Sequence, residues 1–109
     1  MAETFQRSSV DVTSTEQDAY VCPAATTAVV LSCLIANVDG TNSDDITAQI
    51  TNSSNSPQSR IASTITVPAD ASLELIPNKL VLEGGEKLRL TGAATSGRLS
   101  ATVSILEIS

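Results

Sequence analysis

Apolar and polar residues alternate with a period of two along most of this chain, and no window sustains the i, i+3, i+4 apolar spacing of an amphipathic helix. Alternation sends successive side chains to opposite faces of an extended backbone, so the sequence predicts a protein that is almost entirely β. A first strand is expected over residues 4–12, polar enough to be an edge strand or an assembly arm. Residues 13–18 are turn material, and a short strand over 19–22 stops at Pro23, which cannot donate to a ladder. The run 26–38 differs from the rest: Val29, Leu31, Cys33 and Ile35 share one parity, while Ala28, Val30, Leu34 and Ala36 share the other. A strand apolar on both faces is either covered on both sides or meets a partner with one of them.

Asp39-Gly40 opens a turn, because glycine tolerates positive φ and aspartate bonds its own backbone. Ile46, Ala48 and Ile50 then alternate with Thr47, Gln49 and Thr51 as a half-buried strand. Residues 52–59 lack apolar anchors and read as an exposed loop. Ile61, Ser63, Ile65 and Val67 form the next inward face, closed by Pro68, and a shorter strand follows over 72–76. Around Gly84-Gly85 a hairpin is expected. A two-residue loop would oppose leucines to cations, whereas an odd loop of Gly84, Gly85 and Glu86 pairs Leu82 with Leu88, Leu80 with Leu90, and Glu83 with Lys87. The last strand, 98–108, alternates at Leu99, Ala101, Val103 and Ile105, then changes parity at Leu106 and Ile108. A bulge near Ile105 or contact with a partner would each account for the change.

Seven or eight short antiparallel strands in a single domain of 109 residues predict a β-sandwich, jelly-roll or immunoglobulin-like, with a small barrel as the alternative. Phe5 and Tyr20 are the only aromatic residues, so the core lacks side chains that bury about 150–250 Å² each and rests on Val, Ile, Leu and Ala. So light a core favours a subunit stabilised further by association.

The net charge is −6, and the six cations are scattered along the chain rather than clustered, which argues against a nucleic-acid-binding surface. Acidity of this kind keeps an exposed protein soluble; an acidic face docking on a basic partner is the sharper alternative. No run approaches the roughly 18 apolar residues of a membrane span. The start of the chain has neither the basic nor the apolar region of a secretory signal, so synthesis in a reducing cytoplasm is expected. Cys22 and Cys33 are then expected as free, buried thiols, with a bridge between neighbouring strands as the alternative.

Chemistry is not encoded in any recognisable form. There is no histidine, which excludes Ser-His-Asp and Cys-His arrangements and leaves too few ligands for a structural zinc site. Asp44 and Asp45 point to opposite faces of a strand and so do not make an acid–base pair. Asp39, Thr41, Ser43 and Asp45 offer oxygen ligands, but glycine in second place and the lack of a following bidentate glutamate depart from a calcium loop. Gly84-Gly85 precedes no helix and is no phosphate loop. The reading is of a non-enzymatic chain without metal or cofactor.

The phrase CPAATTAVVL at residues 22–31, followed by ANVDGTNS at 36–43, resembles small virion structural proteins of tailed bacteriophages, particularly phages of aquatic bacteria. The resemblance continues through VPAD at 67–70, KLVLEGGEKLRLT at 79–91 and the terminal SATVSILEIS. It implies a virion component made in the host bacterial cytoplasm, most specifically a capsid decoration or cement protein bound across capsid-subunit seams. Its partners would be the major capsid protein or other virion proteins, and copies of itself as a symmetric cluster, a trimer being favoured. A neck, collar or tail component is the alternative, and a receptor- or carbohydrate-binding sandwich a further one. The expected assembly contacts are Phe5, Val30, Leu34, Leu106 and Ile108.

Overall fold

The computed structural model describes residues 3–76, 79–93 and 99–109, and every regular element among them is a strand. The strands are β1 (Glu3–Val12), β2 (Gln17–Val21), β3 (Thr27–Asn37), β4 (Asp44–Thr51), β5 (Pro57–Val67), β6 (Ser72–Glu74), β7 (Leu80–Leu82), β8 (Lys87–Gly92) and β9 (Leu99–Ile108). One sheet has the order β1-β9-β3-β6, with β7 also on β3; the other has the order β2-β8-β4-β5. We call them sheet A and sheet B.

All pairings are antiparallel, and they are nested: β4 pairs with β5, β3 with β6 and β7, β2 with β8, and β1 with β9. The chain is therefore one long antiparallel ribbon wound into two facing sheets, with β6 and β7 occupying successive stretches of one strand position. Eight positions in this nested order make a jelly roll. The alternative of a small closed barrel is not what forms.

The core follows from the alternation. Leu99, Ala101, Val103 and Ile105 of β9 and Ala28, Val30, Cys33 and Ile35 of β3 face Ile46, Ala48 and Ile50 of β4 and Leu88 and Leu90 of β8, all buried. Each fully buried Val, Leu or Ile of this set contributes about 1.5–3 kcal/mol, the alanines less. Asn37, 4% exposed, ties the loops at one end. Its Nδ2 donates to the carbonyls of Asn42 and Val67, both at 3.0 Å, and its Oδ1 accepts from the Asp39 N–H at 2.9 Å.

The two-faced run 26–38 has a backbone explanation. In the β3–β9 ladder Val30 opposes Ile105 while Ser32 opposes Ser104, so Leu31 is an extra residue in a bulge. The bulge reverses the phase: Ala28 and Val30 point inward before it, Cys33, Ile35 and Asn37 after it. Both parities must be apolar because each supplies the core over half of the strand. On its other edge β3 is left uncovered between β7 and β6, and there the Glu74 carboxylate accepts the Cys33 N–H at 2.7 Å and the Ile76 N–H at 3.0 Å.

Several expectations need correction. No hairpin forms at Gly84-Gly85: β7 belongs to sheet A and β8 to sheet B, so Leu82 and Leu88 line one core from opposite sheets rather than pairing in one. The glycines make a turn closed by Glu86 N–H to Glu83 O at 3.0 Å, with Gly85 at φ +87°, and the turn docks on Cys22 through Gly85 N–H to Cys22 O at 2.9 Å. Lys87 does not face Glu83; its Nζ donates to Asn55 Oδ1 at 2.9 Å and lies 3.9 Å from Asp18. The loop after β4 is shorter than residues 52–59, because β5 begins at Pro57, the first residue of a strand at a sheet edge, where proline is tolerated. The bulge expected near Ile105 exists, but on β3, while β9 stays in phase through Ile105. Residue 98, expected to open β9, lies outside the described residues.

Candidate assembly face

The registers of sheet A place Phe5 opposite Leu106, Leu106 opposite Val29, and Val29 opposite Val81, all pointing away from the core. One apolar side chain from each of β1, β9, β3 and β7 thus forms a row straight across the outer face. Its ends are open: Phe5 is 76% and Val81 55% exposed, while Leu106 and Val29 between them are half-buried. The next row outward joins Glu3, Ile108 and Thr27. On the other side the row Arg7, Ser104 and Ser32 borders a shallow groove that Phe5, Leu31 and Ile105 also line, opened by the bulge. Beyond it the face turns polar, with Ser9, Thr102, Ser100 and Asp11 at successive outward positions of β1 and β9.

Of the five expected contacts, Phe5, Leu106 and Ile108 come together at the apolar end of this face. Leu34 points outward and is 42% exposed, but it stands two rows away between Thr102 and Glu74. Val30 is 0% exposed and belongs to the core, because it precedes the phase reversal at Leu31. Val29 and Val81 were not singled out from sequence. The apolar pattern marked Val29 only as one of two parities, and Val81 sits between two leucines that take the inward positions.

The outer face of sheet B carries the opposite chemistry. Its registers align Asp18, Arg89, Gln49 and Arg60 across β2, β8, β4 and β5. The Arg89 guanidinium lies 2.9 Å from Glu16 Oε1 and 2.7 Å from Asp18 Oδ1, and Gln49 Nε2 donates to the second oxygen of Glu16. Asp45 accepts from the Thr66 hydroxyl at 2.9 Å. Acidic groups of this face are thus engaged within the molecule.

At the apolar end the two sheets are stapled by polar groups. The Tyr20 hydroxyl, from sheet B, donates to Glu107 Oε2 of sheet A, and Gln6 Nε2 donates to Glu107 Oε1 at 2.8 Å. Burial first, then the Glu107 carboxylate, push the Tyr20 phenol well above its ordinary value. With Tyr20 buried, Phe5 is the one aromatic ring presented to solvent, which leaves little platform for a sugar. Cys22 and Cys33 are both buried and unbridged. Burial, reinforced by Glu74, pushes the Cys33 thiol up to about 12, and burial likewise raises Cys22, so neither thiol is primed as a nucleophile. In the Asp39 loop the carboxylate accepts the N–H groups of Thr41 at 2.8 Å and Asn42 at 3.0 Å. Among the described residues no group of three or more acidic or cysteine side chains is placed to hold a metal ion.

A similar fold occurs in part of chains found in a virus particle. Over 96% of its length the chain superposes on 30% of a chain in the T13 particle of infectious bursal disease virus, with a TM-score of 0.56 and 7% identity. Chains of the Gx and Gt strains of that virus match over 97% and 98% of this chain, with TM-scores of 0.54 and 0.51 and identities of 8% and 13%. In the Gx and Gt strains the matched region is 31% and 30% of the viral chain, so this protein corresponds to less than a third of each neighbour. At such identities the likeness is one of fold. No protein-family profile matches the chain, and no curated protein matches it either.

Proposed function

We propose that this chain is a structural protein of a virus particle, and specifically a decoration or cement protein of a tailed-phage capsid. The observation that carries this reading is the exposed row Phe5, Leu106, Val29 and Val81 on a fold that chains of a virus particle also use. The resemblance to small phage virion proteins supplies the phage context.

The mechanism follows from the energetics of the row. Covering the row contributes about 3–6 kcal/mol, because a full burial is worth about 1.5–3 and only the ends Phe5 and Val81 are still largely exposed. Association of free partners costs an estimated 4–15 kcal/mol. One copy docking through one row therefore binds weakly, whereas a symmetric cluster, a trimer at a local three-fold axis, engages several seams at once and multiplies the affinity. Each copy would lay the apolar end of sheet A against neighbouring shell subunits and leave the self-neutralised face of sheet B toward solvent.

Quantitative mass spectrometry of purified particles tests the assignment. A ratio near one copy per few major capsid subunits is the expected result. A ratio tens of times lower would move the chain to the neck, collar or tail, and absence from particles would remove the virion role altogether.

A further inference from the structure

The sandwich has four sheet edges, and three of them are blunted. β5 has register breaks along its ladder with β4, starts at Pro57, and holds Thr64 at φ +46° with its N–H turned inward to Thr47 Oγ1 at 3.0 Å. β2 spans five residues and is broken between Asp18 and Tyr20, while β6 and β7 span three each. Bulges, prolines, short length and charged side chains are devices by which a sheet edge avoids pairing with another chain. On β1 only the charges Glu3, Arg7 and Asp11 are present, of both signs and so able to pair with a second copy. The backbone of β1 is otherwise uninterrupted: the ten residues keep an unbroken register from Glu3 opposite Ile108 to Val12 opposite Leu99, without proline or glycine.

The outward side chains of β1 are Glu3, Phe5, Arg7, Ser9 and Asp11. Laid antiparallel against a second β1 with the two-fold axis at Phe5, this pattern complements itself. Glu3 meets Arg7 of the other copy on both sides of a Phe5–Phe5 pair. A two-fold at Arg7 would instead oppose arginine to arginine and Glu3 to Asp11. A two-fold at Ser9 would match Arg7 with Asp11 but leave Phe5 exposed.

We infer that β1 is a self-association edge, through which two copies join their A sheets into one continuous sheet centred on Phe5. The two apolar rows then run end to end, from Val81 of one copy through both Phe5 rings to Val81 of the other. Phe5, 76% exposed in the single chain, gains a partner of its own kind and size. Opposite charges placed directly across an antiparallel pair are favourable and like charges unfavourable, which selects the Phe5 register. The inference concerns the free protein and does not depend on the virion assignment.

Sedimentation equilibrium of the full chain, alongside the variants Phe5→Thr, Arg7→Glu and the double swap Glu3→Arg with Arg7→Glu, tests it. The parent chain is expected to form reversible dimers. Phe5→Thr and Arg7→Glu are each expected to weaken association about tenfold or more, and the double swap to restore it. The swap distinguishes registers, because in a Ser9-centred pair the Arg7→Glu change would still set a carboxylate opposite Asp11. All three positions are exposed, and melting curves check that the variants fold. As an independent readout, amide exchange over residues 4–8 should slow as parent-chain concentration rises. A parent chain that stays monomeric, or dimers indifferent to Arg7→Glu, or dimers that the swap fails to restore, would overturn the inference.

Discussion

The two outer faces of the sandwich each carry a four-residue row across four strands, and the rows differ in whether they are satisfied within one chain. On sheet B, Arg89 is held between Glu16 and Asp18, and Gln49 bonds Glu16, so much of the charge is compensated locally. On sheet A, Phe5 and Val81 remain open to water at the ends of an apolar row. Polar groups on a flat face can find partners a few ångströms away, whereas apolar groups there gain only when another surface removes their water. The polar row of sheet B is thus largely satisfied as it stands, with Val21 and Ile65 the apolar side chains that sheet leaves exposed, while the apolar row of sheet A has free energy left to release on association.

The largest effects should come from the core that both faces share. Leu88→Ala, beneath the polar row, is expected to cost about 2–5 kcal/mol in denaturant unfolding. A loss under about 1 kcal/mol would show that the sheets are packed more loosely than described. Alkaline pH probes the inner side of sheet A. Because the folded Cys33 thiol titrates near 12 against an ordinary 9.0, its contribution is fully present below pH 9 and is lost as pH rises toward 12. The fall amounts to at most about 4 kcal/mol. The raised Tyr20 phenol has the same sign and adds to the decline at the upper end. Melting temperatures across this window should drop steeply in the parent chain and less steeply in Cys33→Ala.

Smaller effects separate the outer faces. Arg89→Ala should cost about 1 kcal/mol, since the clamp is partly exposed but made of several contacts. Phe5→Thr should change stability by no more than about 0.5 kcal/mol while weakening assembly. If calorimetry finds the reverse, with Phe5 important to the isolated fold and Arg89 dispensable, the contrast between the faces is wrong.

Much of the fold was legible because alternation is a local property: the inward residues of β4, β8 and β9 can be read directly from their period of two. What escaped depends on single-residue backbone events and on choice of partner. The extra residue at Leu31 leaves no mark beyond a run apolar at both parities, which a covered strand would produce equally well. At Gly84-Gly85 a hairpin and a crossover between sheets bury the same leucines, so the pattern that predicted burial could not choose between them. Phe5, Leu106 and Ile108 were picked out through their position in polar or phase-shifted segments, and the registers bring them to one end of a face. Val29 and Val81 join them only once the register of four strands is known.

The most direct test of the contrast is hydroxyl-radical footprinting of the chain free in solution and assembled in particles. Measured against the free chain diluted until it is monomeric, protection is expected at Phe5, Leu106, Val29 and Val81, with the sheet B residues around Arg89 and Arg60 unchanged. Protection centred on sheet B, with Phe5 still freely oxidised in the particle, would contradict the account.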